Sequence, residues 1–286
     1  MDLASFIIQL LNSLNFILIL ILVALGLGII FGLMGVINMA HGEFFLLGAY
    51  TVVLAELVGI SFWMSLMVSA IAVGLIGLII EFLCIRYLYE RPMDTILATW
   101  GISIGIKQSI ILVFGPGGQL VTSPLPNMIR FLGTEYPAYR LFTMGSSIVV
   151  ILFTFYVFLR TDYGLKARAV IANRNMASVL GINTRKIYQI TFVFGSALAG
   201  LAGGIMSPLM SVDPQMGMGY LLPAFLAIII GGVGTLYGVL GGGAIIGGAD
   251  SIFSYLISPV GAQIITFSIA IILIRLRPWG IFGRQP

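Results

Sequence analysis

Long apolar runs, separated by short polar breaks, make up most of the chain. Runs of roughly 20 residues have the length that crosses a hydrocarbon core as an α-helix. These runs are continuous and do not alternate with polar residues in segments of about ten, as transmembrane β-strands do. The predicted spans cover residues 14–34, 42–60, 62–85, 95–114, 141–159, 188–207, 219–236, 238–257 and 261–275.

The pattern predicts an all-α integral membrane protein, a polytopic bundle of about eight or nine transmembrane helices. We expect it to occupy residues 1–286 as a single transmembrane domain. The last run is short for a full crossing, so a tilted, broken or re-entrant segment stays open there.

Composition excludes the soluble classes of protein. Hydrophobic residues form 59% of the chain and charged residues 8%, and the mean hydropathy is +1.12. Roughly a quarter of the residues in soluble domains are charged. We therefore expect neither a soluble enzyme nor a nucleic-acid-binding protein. One cysteine and one histidine argue against a disulfide framework and a metal site.

The basic residues predict the orientation, because cytoplasmic loops retain Lys and Arg. Segment 160–187 carries six bases and a single acid, Asp162, so it should be cytoplasmic. The C-terminal arginines predict the same side, and counting spans backwards places the Gly/Pro/Ser-rich loop 115–140 and the N-terminus outside. The bases concerned are Arg160, Lys166, Arg168, Arg174, Arg185, Lys186, Arg275, Arg277 and Arg284.

Glycine is abundant, with 36 residues, and it clusters in the second half of the chain. Small residues let helices approach closely in lipid. Alternatively, the run Gly231, Gly232, Val233 and Gly234 breaks a helix and presents backbone polar groups to a solute pathway. No glycine precedes lysine as in a Walker A motif, so this chain is not expected to bind ATP that way.

A polar cluster interrupts the apolar runs near the first predicted inner turn. Asn38, His41 and Glu43 lie there within six residues, and such groups are costly to bury unless they are paired or hydrated. Two interpretations stay open. The residues line a solute pathway, or His41 and Glu43 cap the next helix, whose N-terminus favours the negative charge of Glu43.

The basic inner segment predicts a helix over residues 167–180, followed by Gly181 as its C-cap. Ala169, Ala172, Met176 and Leu180 recur on it at helical spacing. An ordinary positively charged loop needs no amphipathic helix. We therefore expect a docking surface for a cytoplasmic partner.

Several charged residues fall within predicted spans, among them Lys107, Asp250 and Glu56. Lys107 and Asp250 each lie seven residues before the outer end of a span, which puts both about 10 Å below the outer surface. Two opposite charges at one level invite pairing, with Glu56 as the alternative partner. The competing interpretation is that Lys107 extends towards the surface while Asp250 faces a hydrated cavity.

Several segments together resemble the permease family of bacterial ABC importers for branched-chain amino acids and, more closely, its urea-type members. The resemblance covers nearly the whole chain, and the urea-type assignment depends on residues 91–103, which include Thr99 and Trp100. The other segments that carry it are residues 35–50, 163–165, 168–173, 177–183, 231–235 and 277–283.

The resemblance implies a transport subunit of the inner membrane, with no catalytic residue and no cofactor of its own. It implies a second related permease, two cytoplasmic ATPases that bind ATP and Mg, and an external solute-binding protein. The solute is expected to be urea or a related amide, otherwise a branched-chain amino acid. Docking to the ATPase is assigned by this resemblance to Ala169, Ala172, Asn173, Arg174, Met176, Leu180 and Gly181. The solute pathway is assigned to Asn38, His41, Glu43, Thr99, Trp100, Gly231, Gly232 and Gly234.

Two other classes of function stay open on the sequence. A passive channel for a small neutral solute would also have a glycine-rich, charge-poor membrane domain. An ion-coupled secondary transporter would use Glu56, Glu81, Lys107 or Asp250 as coupling charges.

Overall fold

A computed structural model describes residues 3–89, 91–131 and 134–283 of the chain. It is a helical bundle with one small β-hairpin, so the predicted fold class is confirmed. The helices are α1 (Leu3–Met34), α2 (His41–Leu57), α3 (Phe62–Leu83), α4 (Pro92–Phe114), α5 (Ala138–Arg160), α6 (Asp162–Ala172), α7 (Arg174–Val179), α8 (Thr184–Met206), α9 (Met216–Gly231), α10 (Leu236–Leu256) and α11 (Pro259–Leu276). The strands are β1 (Met128–Phe131) and β2 (Thr134–Pro137), which pair antiparallel.

Seven of these helices are long and apolar enough to cross a membrane: α1, α3, α4, α5, α8, α10 and α11. Helices α2 and α9 are shorter, with 17 and 16 residues. Most of their residues are buried. The two short helices lie inside the bundle and account for the difference between seven spans and the nine apolar runs.

Helix α1 forms the centre of the molecule and packs against α5, α8, α9 and α10. Its apolar side chains are buried almost continuously from Ile19 to Ile30. Glycines make the tightest crossings. A Cβ atom added to Gly48 of α2 would lie 1.9 Å from the carbonyl oxygen of Gly200 in α8, and one added to Gly26 of α1 would lie 2.6 Å from that of Gly195. The close-packing interpretation of these glycines is thus confirmed.

The bundle has two distinct ends. The hairpin end carries β1, β2 and the loop from residue 115 to 137. The C-terminal end carries α6, α7 and residues 277–283, which meet at the turn after α9. There, a Cβ on Gly232 would lie 2.6 Å from the backbone nitrogen of Gly283, and one on Gly234 would lie 3.9 Å from the side chain of Ile171.

Several predicted boundaries were wrong. Helix α1 begins at Leu3, well before residue 14. The predicted loop 115–140 ends at Pro137, because α5 begins at Ala138, and its hairpin was not predicted. Helix α11 is continuous from Pro259 to Leu276, so the last span is not a broken helix. Arg284 lies outside the described residues.

The predicted helix over residues 167–180 is two helices, α6 and α7, which are separated at Asn173. Asn173 has an extended backbone, and its side-chain oxygen accepts a hydrogen bond of 2.9 Å from the Met176 amide. Asparagine competes with helix hydrogen bonds in this way and is favoured at an N-cap. The local cap therefore overrides the continuous apolar spacing.

Candidate functional site

The chain turns back into the bundle after α1 and begins α2 at mid-depth. The Nε2 atom of His41, the first residue of α2, lies 3.2 Å from the carbonyl oxygen of Val23. Val23 is eleven residues before the end of α1 at Met34, a distance of about 16 Å along the helix. Residues 35–40 thus form a re-entrant segment, which contains Asn38.

A second short helix begins at the same place and runs the opposite way. Residues 207–215 descend from the hairpin end, where Val212 pairs with Gln119 of the loop after α4. Helix α9 then begins at Met216. A Cβ atom on Gly42 of α2 would lie 2.8 Å from the carbonyl oxygen of Gly217 in α9. The first turns of α2 and α9 are therefore in direct contact.

The two halves of the bundle repeat this arrangement in reverse. Helices α1 to α4 and α8 to α11 each consist of a long helix, a short helix that begins inside the bundle, and two long helices. Inverted repeats with interrupted helices place solute sites where the half-helices begin. The break between α1 and α2 and the break between α8 and α9 therefore mark the candidate solute site.

The polar cluster predicted from the sequence lies at this site and is buried. The side-chain oxygen of Asn38 accepts from the Ala40 amide at 3.1 Å, whereas the Asn38 Nδ2 and His41 Nδ1 atoms lack a hydrogen-bond partner among the described residues. The Glu43 side chain is 2% exposed. Its Oε1 accepts from the Ser103 hydroxyl at 2.9 Å, and its Oε2 has no partner within the same described part of the chain.

A polar stripe runs along α4 through Thr95, Thr99, Ser103 and Lys107, and the last three of these residues contact the site. These residues recur every four positions and therefore share one face of the helix. Thr99 accepts from the Met39 amide at 3.1 Å and so holds the re-entrant segment. The Lys107 Nζ donates to the Gln215 side-chain oxygen at 3.4 Å, just before α9.

The sequence interpretation missed Ser103 and Gln215, although a signal for Ser103 was present. A four-residue polar period within an apolar helix shows which face avoids lipid. Gln215 had no such signal, because its position depends on the irregular segment before α9. Trp100 is exposed on α4 and is not part of the Asn38, His41 and Glu43 cluster.

The glycines at residues 231–234 lie at the C-terminal end, away from this cluster. They form the turn between α9 and α10, in which Gly232 and Gly234 have φ values of 107° and 80°. The backbone there binds the C-terminal segment, since the Ile281 amide donates to the Ile230 carbonyl at 2.7 Å. The structure does not bring Gly231, Gly232 or Gly234 together with Glu43, and their assignment to the solute pathway stays a prediction.

The predicted ion pair between Lys107 and Asp250 is not formed. The carboxylates of the described residues that lie within 4 Å of a base belong to Asp94 and Glu135. Asp250 is half-buried and lines a cavity of about 290 Å³ together with Asp213, Gln215 and Gln263. The alternative partner, Glu56, is exposed, so its prediction as a buried charge is wrong. Its Oε1 accepts from the Thr122 amide at 3.2 Å.

The loss of stability in a double variant Lys107→Met, Asp250→Asn should equal the sum of the losses in the single variants. Charges that share no contact add to within about 0.5 kcal/mol. The fraction of folded protein after heating in detergent measures each loss. A loss of stability in the double variant that is clearly smaller than this sum would show that the two charges pair in solution.

The predicted docking residues lie on α6, α7 and the turn that follows, at the C-terminal end. Most of them are exposed, including Ala172, Asn173, Arg174 and Gly181, while Ala169 is partly buried. Met176, Val179 and Leu180 form an apolar patch, exposed by 56%, 83% and 72%. We call these three residues the α7 patch.

A chain of side-chain contacts connects α7 to the membrane helices. The Arg174 guanidinium lies 5.4 Å from the ring centre of Tyr188 in α8, and the Tyr188 and Tyr89 rings are 4.9 Å apart. The Tyr89 hydroxyl donates to the buried carboxylate of Glu81 in α3. Burial and Glu81 raise the pKa of Tyr89, so its hydroxyl stays protonated as the donor.

No group of three or more metal-ligating side chains is present among residues 3–89, 91–131 and 134–283. The site therefore consists of re-entrant backbone, buried polar side chains and one acid and one base. Such an arrangement suits the passage or recognition of a polar solute.

Comparison with known proteins gives one family. The family model described as "Branched-chain amino acid transport system / permease component" matches residues 9–274. The high-affinity branched-chain amino acid transport system permease protein LivH is 28% identical in Salmonella typhimurium and 27% in Escherichia coli. Each alignment covers 92% of this chain and 91% of the relative. The permease LivM of Escherichia coli is 24% identical over 77% of this chain and 58% of its own length. No solved structure matches.

Proposed function

We propose, from the premise that this chain belongs to the family of permease components of branched-chain amino acid transport systems, that it is the LivH-like permease of an ATP-driven importer. The chain is a transport subunit and not an enzyme. The observation that carries the proposal is the family match over residues 9–274. The proposed solute is a branched-chain amino acid, for which the two LivH relatives are named. The urea preference drawn from residues 91–103 has no support from these relatives.

The proposed assembly follows from the same relatives. Escherichia coli has permeases named LivH and LivM in its high-affinity branched-chain amino acid system, so we propose a LivM-like second permease for this chain. Two ATPases would supply ATP and Mg²⁺ chemistry, and an external binding protein would supply the solute. Lipid covers the remaining apolar surface in this proposal, and nucleic acid has no role.

The distribution of bases supports the proposed orientation in a bacterial inner membrane. Most of the bases lie near the C-terminal end of the bundle. They are Arg86, Arg91, the bases of segment 160–187, Arg275 and Arg277. Positive loops remain cytoplasmic, so this end, with the C-terminus, faces the cytoplasm in our proposal. The loop 115–137 then lies outside, where a solute-binding protein docks.

The α7 patch supports ATP-driven transport over the other two classes of function. An exposed apolar patch at the end of a polar segment is typical of a docking site for another protein. A passive channel needs no such partner. In the proposal, segment 160–187 is the coupling segment that receives the ATPase.

Uptake of L-leucine into vesicles that contain the whole complex tests the proposal. We expect uptake to require ATP, the binding protein and both permeases. Uptake by this chain alone, down a gradient, would instead establish a passive channel. Loss of uptake upon addition of a proton or sodium uncoupler, at constant ATP, would establish an ion-coupled transporter.

A further inference from the structure

Glu43 and Lys107 carry opposite charges at the meeting point of α2 and α9, and neither has an ionic partner within 4 Å among the described residues. Lys107 lies one helical turn after Ser103, which binds Glu43, so the two charges are close neighbours on the same face of α4.

The Glu43 carboxylate and the Lys107 ammonium group each retain hydrogen-bonding capacity for a ligand. The Oε2 atom of Glu43 is buried and lacks a hydrogen-bond partner within the described residues. Lys107 uses a neutral oxygen of Gln215, at 3.4 Å, which is longer than the usual hydrogen bond of an ammonium group to a carboxylate. A buried acid left without its counter-charge is costly, and a bound cationic group would satisfy it.

We infer that Glu43 and Lys107 form a recognition site for the zwitterionic backbone of an α-amino acid, in which Glu43 binds the ammonium group and Lys107 binds the carboxylate. This inference depends on the proposed function and specifies where the solute is recognised during passage. Adjacent fixed charges of opposite sign match the adjacent charges of the solute. Urea is a neutral amide and therefore forms no ion pair with either side chain.

The site is closed in this structure, and its surroundings show what must move. Glu43 is covered by Ser103 of α4, while the neighbouring first turns of α2 and α9 contact each other through Gly42 and Gly217. Helix α4 packs against the rest of the bundle much less than α1 does. Displacement of α4 would break the Ser103 contact, carry Lys107 away from Gln215 and admit the solute between the two charges.

Binding of charge-matched ligands to the purified complex of permeases and ATPases, without the external binding protein, tests the site. Four probes are L-leucine, isopentylamine with only the cationic group, 4-methylpentanoate with only the anionic group, and urea. Binding is measured without nucleotide and with a non-hydrolysable ATP analogue, so that both resting and ATP-bound conformations are sampled. We expect leucine to bind about tenfold or more tightly than either singly charged probe in at least one of these states.

The variants assign each charge to one group. Glu43→Gln should weaken leucine and isopentylamine at least about tenfold and leave 4-methylpentanoate unchanged. Lys107→Met should weaken leucine and 4-methylpentanoate and leave isopentylamine unchanged. Glu56→Gln is the matched control for an acid, and Gln108→Met is the control for a polar residue beside Lys107 on α4. Both should bind all probes like the wild type.

Three results would overturn the inference. The first is binding of leucine in neither nucleotide state, and the second is binding that neither charge variant alters. The third is recovery of leucine binding in the double variant Glu43→Gln, Lys107→Met, because this would show that the two side chains serve only to neutralise each other. ATP-driven leucine uptake is measured on the same preparations. If neither charge variant changes the rate of ATP-driven uptake, the recognition site is refuted and the proposed function is not. If binding depends on the two charges but no ATP-driven uptake occurs, the proposed function is refuted and the recognition site is not.

Discussion

Replacing Met176 with Glu should abolish ATP-driven uptake while leaving the permease folded in the membrane. Met176 belongs to the α7 patch and is more than half exposed, so its replacement costs little stability. A charge buried at the centre of a docking interface costs about 2 kcal/mol or more. That energy corresponds to about a thirtyfold loss of ATPase affinity.

Co-purification of the ATPase with the permease pair measures this loss directly. Leu120→Glu is the control, because Leu120 is an apolar residue on the opposite, hairpin end and is even more exposed than Met176. It should retain the ATPase in full. If Met176→Glu purifies with a full amount of ATPase and transports normally, the ATPase does not dock on α7.

Replacing Gly48 with Ala should prevent the bundle from assembling. The added methyl group would lie 1.9 Å from the Gly200 carbonyl oxygen, which belongs to rigid helical backbone. The two helices would have to separate, and overpacking of this kind costs about 3 kcal/mol. A marginally stable membrane domain would lose most of its folded population.

Gly145→Ala is the matched control. A Cβ atom on Gly145 of α5 meets no other atom within 4 Å, and alanine is the better helix former. We expect Gly145→Ala to accumulate at the wild-type level or above, whereas Gly48→Ala should be recovered in less than about a tenth of that amount. Fluorescence-detected size-exclusion chromatography compares the two. Equal recovery would mean that α2 and α8 do not cross as closely as described.

The sequence predicted the membrane class and most of the spans, because continuous apolar length is a strong local signal. It did not predict the depth in the bundle at which α2 and α9 begin. Residues 42–60 have a full span's apolar length, and nothing local shows that the preceding segment returns to the level of Val23. That depth is fixed by tertiary contacts such as the one between Gly42 and Gly217.

For the same reason, the sequence predicted one part of the candidate site and not the other. Asn38, His41 and Glu43 are close in sequence and stand out by polarity. Pairing Lys107 with Asp250 used depth alone, and depth does not specify which face of a helix a residue occupies. The polar stripe on α4 did contain that information, since Lys107 follows Ser103 by four residues on the face that contacts Glu43.

The central position of α1 has a consequence for synthesis of the protein in the cell. Helix α1 emerges first, yet α10, one of its main neighbours, begins at Leu236, about 200 residues later. At 5–20 residues per second, roughly 10 to 40 s of translation separate the two. During that interval lipid must cover the side of α1 that α10 later covers. Its almost unbroken apolar surface therefore suits two successive environments, first the acyl chains and afterwards the protein.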